Sequence, residues 1–124
     1  MNQIMEKINE GICAPKGFLA NGVFCGIRKN KTKLDLGVIK SIVPCHAAAV
    51  YTKNIVKGAP IVVTQKHLAD GTAQAVICNS GVANTCSVDG IDTATTMCVA
   101  IAKHLNLKPV SYTHSPSPRD KRQY

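Results

Sequence analysis

Ala73-Gln74-Ala75-Val76-Ile77-Cys78, then Asn79-Ser80-Gly81-Val82-Ala83-Asn84-Thr85-Cys86-Ser87, then Asp89 to Leu105, read in succession as a strand, a turn-rich loop and a helix. The first piece is a short apolar run bounded by turn formers, which fits a buried strand. In the third, Ile91, Ala94, Met97, Ile101 and Leu105 recur at spacings of three and four and draw one apolar stripe. Asp89 or Ser87 is placed to cap its start, and Asp92 sits in the positive first turn. Lys103 and His104 suit the last turn, and Pro109 stops continuation. Such a stripe has to be buried, and a neighbouring sheet is the surface expected to take it.

Upstream, Pro15-Lys16-Gly17 and Asn21-Gly22 punctuate the first apolar stretch. Val23 to Ile27 reads as a strand, Arg28-Lys29-Asn30-Lys31-Thr32-Lys33 as a solvated turn, and Leu34 to Ile42 as a second strand. Their β-branched content around a polar break predicts a hairpin. Ala47 to Thr52 reads as a third strand. Pro60 to Leu68 stays open, because Ile61-Val62-Val63 favours a strand while Pro60 suits the first turn of a helix. From Val110 the chain is polar, Pro-containing and aperiodic, the pattern of a frayed tail. One domain followed by a tail is the simplest organisation.

The chain has 124 residues and a net charge of +8, from 15 Lys and Arg against 7 Asp and Glu. That excess would suit nucleic acid, an acidic membrane or an anionic substrate. It does not form a stripe, and no aromatics are interleaved with its densest run, so nucleic acid is not the expected partner. No apolar run approaches the roughly 20 residues that span a bilayer, and no secretory leader is evident. The cysteines, Cys13, Cys25, Cys45, Cys78, Cys86 and Cys98, contain no Cys-x-x-Cys pair, so no metal site is assigned. They read as reduced, mostly buried thiols of a cytoplasmic protein.

The Asn79–Ser87 loop is the candidate site. Small polar side chains, a permissive glycine and free amides ahead of a helix can hold an anionic group, and the same residues also make an ordinary strand-to-helix connection. Cys86 has no histidine partner and reads as a packed thiol. Cys45 and His46 are adjacent on a strand and so point to opposite faces, which removes them as a dyad. His67, His104 and His114 stand without a ligand-spaced companion.

Three segments are similar to the ornithine acetyltransferase/glutamate N-acetyltransferase family of arginine biosynthesis. They are Ala14-Pro15-Lys16-Gly17-Phe18-Leu19-Ala20-Asn21-Gly22, Ala48-Ala49-Val50-Tyr51-Thr52-Lys53-Asn54 with Lys57-Gly58-Ala59-Pro60, and Asn79-Ser80-Gly81-Val82-Ala83-Asn84-Thr85-Cys86. The resemblance spans about Cys13 to Pro109, placing residues 1–109 in the family's N-terminal part and leaving 110–124 as an unmatched polar tail. It implies an α/β layered sandwich related to self-processing N-terminal-nucleophile acyltransferases. The implied reaction moves an acetyl group from N-acetylornithine to glutamate, with acetyl-CoA as donor in some members and no bound cofactor. The nucleophile is a Thr freed by self-cleavage, whose terminal amine activates its own hydroxyl.

The family usually carries Asn where this chain has Val82, and its Ser-Thr-Gly oxyanion segment has no match after Pro109. Ala94-Thr95-Thr96-Met97 superficially resembles the family's Ala-Thr-Met-Leu cleavage sequence but falls inside the helix and too early. No catalytic residue is therefore assigned here, and Asn79, Ser80, Gly81 and Asn84 remain as substrate-binding candidates. The implied partners are the C-terminal part of the same precursor and an oligomer of the complete enzyme. Two other readings stand beside this one: a catalytically silent binding or assembly module derived from the family, and a basic nucleic-acid-binding domain.

Overall fold

Two stretches rich in β-branched and small residues pair as an antiparallel hairpin. They are β1 (Phe18–Val23) and β2 (Leu36–His46), in a register running from Phe18 opposite Ser41 to Val23 opposite Leu36. The computed structural model describes residues 8–82, 85–107 and, as backbone, 112–116. Helix α1 (Ala59–His67) follows, then β3 (Thr72–Asn79), α2 (Gly90–His104) and β4 (Tyr112–Pro116). The sheet order is β1-β2-β3-β4, antiparallel except for the parallel β3–β4 pair. This is an α/β fold, and both helices pack on one face of the sheet.

The core forms between that face and the helices. Ala75 and Ile77 of β3 meet Val63 of α1 and Ala94, Cys98 and Ala102 of α2, with Leu36, Val38, Met97, Ile101 and Leu105 around them. Three small side chains one turn apart let α2 approach the sheet closely, with the larger residues flanking the contact. The expected stripe is thus rotated: its centre is Ala94-Cys98-Ala102, and Ile91 is 50% exposed. Side-chain volume decides this, since small residues tolerate the closest approach. Neither Asp89 nor Ser87 caps a helix amide with its side chain; the Ser87 hydroxyl donates to Asp89 Oδ1 at 2.7 Å instead. At the other end, Lys40 Nζ donates to the Leu105 carbonyl at 3.3 Å, placing a cation at the negative end of α2.

Several expectations are corrected. Residues 24–27 are irregular and the first strand precedes them, because backbone amides of this stretch are drawn inward by Asp35 and Gly26 adopts φ +91°. The second strand runs on to His46, with a register shift between Lys40 and Cys45 around Pro44, which has no amide to give the ladder. Ala47 to Thr52 is no strand: β2 is already flanked by β1 and β3, leaving no edge beside it, and Val50 is fully exposed. Pro60 to Leu68 resolves as helix, with Pro60 in its first turn and Val63 buried. Residues 112–116 of the expected tail form β4, since the parallel edge of β3 offers unpaired backbone groups. Only Cys98 is buried, while Cys13, Cys25 and Cys86 are exposed, and all six are free thiols. No helix among the described residues is long and apolar enough to cross a membrane.

Alternation along the strands sends Ala20, Ile39, Val76 and Cys78 to the face away from the helices. Among the described residues, no second layer covers that face.

If the helix-side face carries the stability, Ile77→Ala should cost about 2–5 kcal/mol in urea unfolding. Val99→Ala, on the exposed side of α2, should stay within about 0.5 kcal/mol. Similar losses at the two positions would contradict this core.

Candidate functional site

The site is built where β3 ends. Asn79 is its last residue and only 5% exposed, and Ser80 and Gly81 turn the chain toward α2. The Ser80 amide donates to the Asp35 carbonyl at 2.9 Å, fastening the loop to the start of β2. Together Gly22, Leu34, Asp35, Leu36, Gly37, Cys78, Asn79 and Ser80 line a cleft of about 210 Å³. Its floor is low because Gly22 and Gly37 face each other across the β1–β2 pair.

Asp35 organises the surroundings. Its side chain, in a residue 2% exposed, accepts from the Cys25 amide at 2.7 Å and from the Arg28 amide at 2.9 Å. Burial alone would push this carboxyl up, but those backbone donors outweigh it and hold it at about 2, below the ordinary 3.8. The Asp35 amide also donates to the Val23 carbonyl at 3.0 Å, so one residue ties the end of β1, the 24–35 loop and the β3–α2 loop together. Arg28 completes the tie, its Nε donating to Ser80 Oγ at 2.9 Å. Gly81 has φ +102°, and a Cβ there would come within 2.9 Å of Arg28 Cγ, so a side chain is excluded on two grounds.

Of the residues singled out from sequence, Asn79 and Ser80 meet at the cleft and Gly81 packs on the stem of Arg28. Asn84 lies outside the described residues. Asn79 Nδ2 donates weakly to Met97 Sδ at 3.4 Å, while its buried Oδ1 has no partner among the described residues. Cys86 is exposed, with φ +61°, rather than packed. Two residues that matter were not singled out. Asp35 stands between Leu34 and Leu36 at a strand start, an unusual place for an acid. Arg28 reads in the sequence as part of an exposed basic turn, but it is half-buried and engaged.

Cys25 and Cys98 are not activated nucleophiles. Desolvation, then the hydrogen bond and charge of Asp35, push Cys25 up, and burial pushes Cys98 up to about 11. Among the described residues, no group of three or more His, Cys, Asp or Glu could hold a metal ion.

The ArgJ family model matches residues 19–115, running into β4. The arginine biosynthesis bifunctional protein ArgJ of Symbiobacterium thermophilum is 42% identical over 107 residues, covering 85% of this chain and 27% of that relative. The protein of the same name from Bacillus subtilis is 46% identical over 105 residues, covering 83% and 25%. The chain thus spans about a quarter of the length of the curated relatives it matches. Among solved structures, ArgJ of Bacillus halodurans superposes with a TM-score of 0.79 at 36% identity, over 89% of this chain and 58% of that one. Ornithine acetyltransferase of Mycobacterium tuberculosis, solved with ornithine, gives 0.79 at 33%, over 91% and 62%.

The depressed Asp35 carboxyl has a consequence for stability. Its contribution is fully present above the ordinary carboxylate value and lost as pH falls through about 2. Asp70 and Asp89 are also lowered, by hydrogen bonds from Thr72 and Ser87, so the acid slope is shared. Asp35→Asn should therefore be less stable than wild type at neutral pH, with the gap narrowing between about pH 4 and about pH 2 in urea unfolding. A gap independent of pH would show that the charge of Asp35 contributes nothing.

Proposed function

The chain belongs to the ArgJ family, and from that premise we propose that it forms the N-terminal part of an acetyltransferase moving an acetyl group from N-acetylornithine to glutamate. The observation that carries this is the match over residues 19–115, with relatives 42% and 46% identical. In this reading these residues build one sheet with its helix layer and hold Asn79, Ser80 and Gly81 beside the cleft. The threonine nucleophile and oxyanion donors belong to the remaining length of the enzyme.

Two features support the division. The sheet face carrying Ala20, Ile39, Val76 and Cys78, with Ser41 and Gln74 at one end, has no further strand or helix packed on it among the described residues, as a half of a layered sandwich would. The same segment fills 58% of one solved chain but 27% of a curated relative, so that solved chain is the shorter. This is the size relation expected of a precursor that cuts itself in two. The freed threonine hydroxyl then takes the acetyl group as an ester, releasing ornithine. The glutamate amine accepts the group in a second step; acetyl-CoA is a donor in some members of the family.

The chain by itself should release no ornithine from N-acetylornithine and glutamate above background. Loss of a single oxyanion donor already costs about a hundredfold or more. Adding the remaining three-quarters of a curated relative should restore turnover. Activity of the chain alone, abolished by one substitution within it, would place the chemistry here and overturn the division.

A further inference from the structure

Arg28 is fixed at three points. Its amide donates to Asp35 Oδ2, its Nε donates to Ser80 Oγ, and its stem lies against Gly81, where no Cβ fits. A long side chain is thereby ordered before anything binds, which lowers the entropy cost of recognition. Arg28 is half-buried as a residue, and among the described residues its terminal nitrogens have no acceptor and no carboxylate pairs with it. Asp35 does not serve as that partner, because its two oxygens are engaged by the amides of Cys25 and Arg28. Lys29, Lys31 and Lys33 on the same loop are exposed and add positive potential without fixing a geometry.

An ordered guanidinium with unused N–H donors matches the two oxygens of a carboxylate. We propose that Arg28, set by Asp35, Ser80 and Gly81, is a carboxylate-binding site beside the Ser80 end of the cleft. The carboxylate comes either from a free amino acid or from an Asp or Glu side chain of polypeptide lying over the cleft. The site stands apart from the acetyl-transfer reading, since no step of that reaction requires it.

The test is equilibrium dialysis of radiolabelled glutamate and acetate against the 124-residue chain at fixed ionic strength. One carboxylate per chain is expected, weakened about tenfold or more in Arg28→Gln by loss of the charge-assisted pair. Arg28→Lys should be weakened as well, because an ammonium lacks the fork. Ser80→Ala should weaken binding without removing charge, which keeps the test decisive if Arg28→Gln fails to fold. Joint replacement of Lys29, Lys31 and Lys33 by Gln should change binding by no more than about threefold. In a second arm the chain is co-purified with the remaining length of a curated relative. Continued glutamate binding by that complex assigns the site to a free carboxylate; exclusion of glutamate, with the complex weakened by Arg28→Gln, assigns it to a protein side chain. No saturable binding together with a complex indifferent to Arg28→Gln would overturn the proposal. So would a loss in the triple lysine variant equal to that in Arg28→Gln.

Discussion

A single buried carboxylate sets the geometry at the cleft end of the sheet. Asp35 is almost wholly removed from water, and an ionised group there is tolerated only if its oxygens find donors. The donors are the amides of Cys25 and Arg28, ten and seven residues back along the chain. Satisfying the charge therefore requires the loop after β1 to curl around it. The main chain of Asp35 meanwhile bonds Val23 on one side and Ser80 on the other. Hairpin, basic loop and β3–α2 connection become one body because they share this residue. Arg28 and Gly81 follow from it, the arginine bonded to Ser80 and the glycine making room for the arginine.

This arrangement explains what the amino-acid sequence disclosed and what it hid. The β3–loop–α2 unit was legible because its signals are local: an apolar run, turn formers, and a periodic stripe closed by basic residues and Pro109. The family resemblance was legible in three short segments for the same reason. Over residues 24–27 strand propensity is overridden by a carboxylate ten residues beyond Cys25. The centre of the α2 stripe moved to Ala94, Cys98 and Ala102 because closeness of approach, not hydrophobicity, selects the contact. β4 was hidden because its partner is a distant edge, and polar residues pair backbone to backbone as readily as apolar ones. Asn79, Ser80 and Gly81 stand out in the sequence as a turn-rich loop, whereas Asp35 and Arg28, which hold that loop, carry no local motif.

The two faces of the sheet divide the labour. The helix side holds Ile77, Cys98 and their neighbours in a small core. The other side presents Ala20, Ile39, Val76 and Cys78 together with the glycine-floored cleft. The Asp35 tie holds the loop end of the sheet in a fixed position.

Amide hydrogen exchange compared between the wild-type chain and Asp35→Asn tests this coupling most directly. If Asp35 unites the three segments, the amides of Cys25, Arg28 and Ser80 should lose protection together in the variant, while Ile77 and Cys98 stay protected. Loss at Cys25 and Arg28 with Ser80 unchanged would contradict the account. It would mean that the β3–α2 loop holds its position without the buried carboxylate.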